Sequence, residues 1–279
     1  MPSPATATGP IGVFDSGIGG LSVLAALRRE LPLEKFVYIG DAGHAPYGER
    51  DTGHVLKRSQ LLADYLCTHH QAKALVLACN TATAAAVSSL RARYPKLPIV
   101  GIEPALKPAA AQSASGVVAV MATRSTLSSD KFQILLSAQP PSVRFILQAC
   151  DGLAAAIEQA DLQAIESLSQ RYIQTLRHHP DGGTHIDTVV LGCTHYALIS
   201  DTLGTLWGPK VSLIEAGKPV ARRTRQVLQA ADLLQATAHA PPSRETQCLS
   251  TGDPALLDQA LRDWQVGRPN LRASALFLP

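Results

Sequence analysis

The sequence has no apolar run approaching the roughly 18–20 residues that cross a bilayer. Its start, MPSPATATGPIG, has neither the basic nor the apolar stretch of a signal peptide and reads as a short lead-in. Both absences point to the cytosol and away from a membrane. Charge of one sign is also scarce: 25 Lys and Arg stand against 22 Asp and Glu. No basic run with interleaved aromatics appears, so nothing argues for a nucleic-acid partner. Cysteine is sparse and awkwardly placed. Cys67, Cys79, Cys150, Cys193 and Cys248 are odd in number, and no two have CxxC spacing. That argues against a structural metal site and against a disulfide framework. Hydrophobic residues, at 46% of 279, are plentiful enough for a large core.

The chain alternates short apolar runs with helical patterns. IGVFD (11–15), FVYIGD (36–41), ALVLAC (74–79) and PIVGI (98–102) read as strands. Helices are expected over 19–31, 51–69 and 81–94. The pattern then restarts. GVVAVMAT (116–123), VRFILQAC (143–150), DTVVLGC (187–193) and VSLIEA (211–216) are strands. Helical stretches at 125–137, 152–177 and 195–207 lie between them. A long helix near 218–236, a strand at 246–252 and a helix from 254 to 264 complete the reading, with 238–245 as a proline-containing loop. Uniformly apolar strands alternating with helices imply parallel sheets covered on both faces. The expected fold is α/β: two doubly wound parallel-sheet domains related by pseudo-two-fold symmetry, with an active site in the cleft between them. Residues 1–102 plus 214–279 would form the first domain and 103–213 the second.

One phrase occurs twice. LVLACNTAT (75–83) and VVLGCTHYA (189–197) each run from an apolar strand into a cysteine and then into a polar helix start. In doubly wound sheets, ligands bind beyond the carboxyl ends of the strands. A thiol at a helix N-terminus also ionises more readily than usual. Cys67, inside a helical pattern, Cys248, inside TQCLST, and Cys150 read as small buried apolar residues. Cys79 and Cys193, one on each side of a cleft, could remove a proton from one face of a carbon and return one to the other. Racemisation without a cofactor needs such an arrangement, because a single base tends to hand the proton back to the face it came from.

The motifs IGVFDSGIGGLSVL (11–24), YIGDAGHAPYG (38–48), LVLACNTATA (75–84), VGIEPA (100–105) and DTVVLGCTHYAL (187–198) resemble those of the glutamate racemases, within the aspartate/glutamate racemase superfamily. The resemblance implies interconversion of L- and D-glutamate, with no pyridoxal phosphate, no metal and no other cofactor, to supply D-glutamate for peptidoglycan. By motif position, Cys79 matches the thiolate acting on the D-enantiomer and Cys193 the one acting on the L-enantiomer. Asp15 and His195 match the groups beside them. Glu158 falls at the matching distance from Cys150 and is the expected acid near His195. Asp15, Ser16, Tyr47, Gly48, Asn80, Thr81, Thr123, Thr194 and His195 match substrate contacts. Backbone N–H groups and hydroxyls would hold the two carboxylates, and Asp15 the ammonium. The motifs supply no full cation. Ala122 departs from the family pattern, where glycine is usual. Relatives of this kind work as homodimers or as monomers, so a homodimer stays open.

Three rival readings remain at this point. A sister enzyme acting on aspartate would share the thiols, although the PYG element and the CNT and CTH triplets favour glutamate. A nucleotide-binding oxidoreductase could use SGIGG, but the GxGxxG spacing and the ribose-binding acid about 20 residues on are missing. An inactive binding protein would not need both cysteines.

Overall fold

The structure, a computed structural model, describes residues 6–182, 185–235, 245–263 and 271–278. Of the expected loop at 238–245, residues 238–244 lie outside them, as do residues 1–5. The chain divides into two compact units, Met1–Ile102 with Gly217–Pro279, and Glu103–Ala216.

The first unit holds β1 (Ile11–Asp15), α1 (Leu21–Glu30), β2 (Phe36–Gly40), α2 (Thr52–His69), β3 (Ala74–Leu77), α3 (Asn80–Arg93) and β4 (Ile99–Gly101). The returning segment adds α11 (Gly217–Ala230), β9 (Thr246–Ser250), α12 (Pro254–Asp263) and β10 (Ala273–Ala275). The strands form one sheet in the order β10-β9-β2-β1-β3-β4, with every pairing parallel. The central strands β1, β2 and β3 are buried along their whole length, which is why their sequences are apolar throughout rather than alternating. Burial of side chains such as Ile11, Val13 and Phe14 contributes about 1.5–3 kcal/mol each.

Caps set the helix starts. Asp51 accepts from the His54 amide to begin α2. Gly20, just before α1, has no room for a side chain: a Cβ there would lie 2.6 Å from Asp15 Cβ and 2.9 Å from the Tyr38 hydroxyl. The glycine is therefore what lets the helix start pack against the end of β1.

An ion pair lies buried in the same unit. Lys73 Nζ is 2.5 Å from Glu34 Oε2 and donates to the carbonyls of Ala7 at 2.6 Å and Leu233 at 2.8 Å. Glu34 Oε1 accepts from the Gln235 amide. Burial pulls Lys73 below its usual value, with Glu34 opposing. The pair thereby ties the approach to β1 and the exit from α11 to the sheet.

The second unit repeats the topology on a smaller scale. It contains α4 (Leu106–Gln112), β5 (Val117–Ala122), α5 (Arg124–Leu127), α6 (Asp130–Ser137), β6 (Arg144–Ala149), α7 (Leu153–Glu158), α8 (Leu162–Arg177), β7 (Thr188–Leu191), α9 (Thr194–Leu198), α10 (Ser200–Trp207) and β8 (Ser212–Ile214). Its parallel sheet runs β6-β5-β7-β8. Strands β1, β2, β3 and β4 thus correspond to β5, β6, β7 and β8.

The sequence reading differs from the structure in several places. The boundary expected at 213/214 falls after Ala216, because Ile214 belongs to β8 and pairs with Val190. The helix expected over 125–137 is broken, since Ser129 caps a second helix through the Phe132 amide. That expected over 195–207 breaks at Ile199. Helix α4 and strand β10 have no counterpart in the reading.

Candidate active site

In each sheet the strand order reverses at one point, between β1 and β3 in the first unit and between β5 and β7 in the second. Ligand crevices of doubly wound folds open beyond the carboxyl ends of the strands at such a point. Cys79 follows β3 and Cys193 follows β7, so each unit carries one thiol at its switch point.

In the first unit, Cys79 is the N-cap of α3, and its sulfur accepts from the Ala82 amide at 3.4 Å. An N–H aimed at sulfur, at the positive end of a 14-residue helix, favours the thiolate over the thiol. Asp15 ends the neighbouring strand and is fully buried. Its Oδ1 accepts from the Gly17 amide at 2.9 Å and from the Ser16 hydroxyl at 3.2 Å. The Ala78 amide donates to the Phe14 carbonyl, so the ends of β1 and β3 lie side by side. Asn80 and Thr81 are buried at the first turn of α3, and Asn80 Oδ1 has no protein partner among the described residues.

Tyr47 opens a short 3-10 turn, Tyr47–Glu49, that also carries Gly48. Its ring is buried in the same apolar cluster as Cys79, Phe14, Leu77 and Ala82. Its hydroxyl donates to Asp41 Oδ2 at 2.5 Å. Burial first, and the Asp41 carboxylate second, push this phenol far above its usual value. Asp41 is itself fully buried, which would raise its carboxyl. Hydrogen bonds from Arg58, Tyr47 and Thr251 outweigh that, and the carboxyl stays below its usual value.

In the second unit, Cys193 stands at the N-cap position of α9 without a side-chain cap bond, and its sulfur lies 3.9 Å from His195 Nδ1. His195 Nε2 is 2.6 Å from Glu158 Oε2, at the end of α7. Burial alone would lower the imidazole. Hydrogen bonds to Cys193 and Glu158, together with their charges, override it and hold His195 well above its usual value. The imidazole is thus the neighbour of the Cys193 sulfur, where the Cys79 sulfur has a helix amide. Thr123 caps α5, accepting from the Thr126 amide at 3.2 Å, and Thr194 is buried at the start of α9. Gly192, just before the thiol, donates to the Met121 carbonyl at 2.7 Å; a Cβ there would meet Ala122 Cβ at 2.9 Å.

The remaining cysteines are set differently. Burial raises Cys67 to about 11, Cys248 to about 12 and Cys150 further still. All three stay thiols at neutral pH.

The expected site residues thus divide by unit. Asp15, Ser16, Tyr47, Gly48, Asn80 and Thr81 belong to the unit that carries Cys79, and Thr123, Glu158, Thr194 and His195 to the unit that carries Cys193. Sequence reading missed Arg58 and Thr251. Arg58 had a readable signal: it sits with Val55, Ser59 and Leu62 on the buried stripe of α2, where a cation needs a partner. Thr251 had none. Among the described residues, no group of three or more His, Cys, Asp or Glu gathers in a metal-binding arrangement, and no helix is long and apolar enough to cross a membrane.

Two doubly wound units of one topology, each with a thiol at its switch point, define a two-unit parallel α/β class of protein. Residues 18–224 match the family described as Asp/Glu/hydantoin racemase, and the chain belongs to that family. It is 48% identical to a glutamate racemase of Ectopseudomonas mendocina (strain ymp), over 88% of this chain and 90% of that protein. A glutamate racemase of Pseudomonas putida (strain W619) is 43% identical over 92% and 94%. Among solved structures, a glutamate racemase isoform from Bacillus anthracis superposes with a TM-score of 0.83 at 28% identity, covering 97% of this chain and 98% of that one. Escherichia coli glutamate racemase, solved with L-glutamate and the activator UDP-MurNAc-ala, gives 0.80 at 27% identity, covering 96% and 99%.

Proposed function

We propose that this protein is a cofactor-independent glutamate racemase working by two thiols, and that it supplies D-glutamate for peptidoglycan in the cytosol. The observation that carries the reading is the pair of thiols, one per switch point, Cys79 beside a helix amide and Cys193 beside the His195 ring. The identity to glutamate racemases over most of the chain favours glutamate as substrate.

With D-glutamate, the Cys79 thiolate takes the Cα proton and becomes a thiol. The electron pair stays on Cα, delocalised into the α-carboxylate. The Cys193 thiol then donates its proton to the opposite face, giving L-glutamate and a Cys193 thiolate. The enzyme is left ready for L-glutamate, which runs the same steps in reverse. Asp15 pairs with the substrate ammonium. Hydroxyls and amides of Ser16, Asn80, Thr81, Thr123 and Thr194 hold the carboxylates. The Cα–H is a far weaker acid than a thiol, so donor placement and exclusion of water must lower the barrier. His195, held by Glu158, lies beside the Cys193 sulfur.

The test is racemisation followed by circular dichroism with each enantiomer of glutamate and of aspartate. Turnover of glutamate, abolished by either Cys79→Ser or Cys193→Ser, is the expected result. Near-native turnover in either variant would refute the two-thiol scheme, and preference for aspartate would reassign the substrate.

A further inference from the structure

The Cys79 side contains a buried cation that the reaction as drawn does not use. Arg58 is 7% exposed and reaches Asp41 with two arms, Nε to Oδ2 at 3.0 Å and Nη2 to Oδ1 at 2.9 Å. The same carboxylate accepts from Thr251 Oγ1 at 2.7 Å and from the Tyr47 hydroxyl. Each Asp41 oxygen thus takes two hydrogen bonds, and they come from three elements: α2, the Tyr47 turn and the end of β9. Apolar residues of similar size would stabilise a buried site at least as well as an ion pair does. What the pair adds is a fixed geometry.

The backbones converge at the same point. Gly43 N donates to Thr251 Oγ1 at 3.2 Å, and Thr251 N donates to the Gly40 carbonyl at 3.1 Å. A Cβ on Gly43 would stand 2.8 Å from the Thr251 carbonyl oxygen, and one on Gly252 would stand 2.9 Å from Gly43 N. The loop leading to Tyr47 is therefore clamped onto the end of β9, and Asp41 is the clamp's centre. Tyr47 in turn packs in the Cys79 cluster, close enough for its phenol to feel the charge on that sulfur.

We propose that Arg58 and Thr251 are positioning residues for proton transfer at Cys79, fixing Asp41 and through it the turn that carries Tyr47 and Gly48. The inference rests on the glutamate racemase reading above. Arg58 has a second effect. It cancels the charge of a buried carboxylate in the cluster where Cys79 must itself become an anion. Without the guanidinium, Asp41 either keeps a bare charge that opposes the thiolate or takes up a proton and loosens its hold on Tyr47. Both outcomes slow the step at Cys79 and leave the Cys193 step alone.

The experiment uses Arg58→Met, Arg58→Lys and Thr251→Val in the full chain, checked for wild-type circular dichroism and melting. Enantiomers interconvert with an equilibrium constant of one, so kcat/KM must fall equally in both directions and cannot reveal which step suffers. The Cα-deuterium isotope effect can. For Arg58→Met the expected loss in kcat/KM is about tenfold or more. The isotope effect should rise with D-glutamate, where Cys79 removes the proton. It should fall with L-glutamate, where return of the carbanion becomes more frequent. Arg58→Lys recovers part of the rate, since an ammonium cannot span both oxygens. Thr251→Val, which removes one of four hydrogen bonds, gives a smaller loss with the same asymmetry. A purely structural role lowers the rate with both isotope effects unchanged, and that result, or wild-type kinetics in the folded variants, overturns the inference. If Arg58→Met does not fold, Thr251→Val and Arg58→Lys decide. A wild-type protein inert on glutamate would instead overturn the functional reading itself.

Discussion

Replacing Glu158 by glutamine keeps the side chain's size and its acceptor but removes its charge. The bond at stake is short, 2.6 Å from His195 Nε2, and dry: the two side chains are 2% and 10% exposed. A hydrogen bond to a charged partner contributes about 1.5–3 kcal/mol, against about 0.5–1.5 kcal/mol for a neutral one. The difference, about 1–2 kcal/mol, corresponds to roughly a 5- to 30-fold loss of rate at ~1.36 kcal/mol per decade. That loss should appear in kcat/KM for both enantiomers. A pH signature should accompany it. Hydrogen bonds and charge from Cys193 and Glu158 hold His195 above its ordinary value against the effect of burial. In the Glu158→Gln variant the imidazole gives up its proton at lower pH, so the alkaline limb of activity moves towards neutrality. Stability follows the same sign. A raised folded-state value adds stability that is complete below the unfolded value of about 6.5. It is lost as pH rises through the folded value, and the variant keeps less of it. Initial rates by circular dichroism across a pH series provide the assay. An unchanged rate, or an alkaline limb displaced upward, would refute the role given to Glu158.

Lys73→Met should destabilise the first unit by about 3–5 kcal/mol, because it leaves Glu34 charged and buried without its partner. Adding Glu34→Leu should restore most of that loss in a denaturant titration. Full stability in the single variant would show that the pair carries little. Gly20→Ala forces a methyl to within 2.6 Å of Asp15 Cβ and should cost about 1–3 kcal/mol. It should also lower turnover, since the clash displaces Asp15; unchanged melting and turnover would show that the turn relaxes freely.

Much of this was legible because the chemistry lies in local strings. A strand buried on both faces must be apolar throughout, so IGVFD, ALVL and TVVL announce themselves. A cysteine followed by polar residues marks the strand-to-helix turn in each unit. Glu158 was reachable through its distance from Cys150, and the structure sets it beside His195. What escaped was set by tertiary contact. Ser129 and Ile199 interrupt patterns whose apolar spacing continues across the break, so periodicity alone does not reveal it. Strand β10 is three residues, Ala273–Ala275, too short to show a period. Thr251 joins Asp41 across 210 positions of chain, a pairing that no local pattern encodes.

The central claim is that two different thiols exchange the Cα proton. Run in heavy water from unlabelled L-glutamate and sampled at low conversion, the reaction should give D-glutamate with deuterium at Cα, while the remaining L-glutamate stays unlabelled. First-formed D-glutamate that retains its original proton would mean a single group carries it from one face to the other, and would contradict the account.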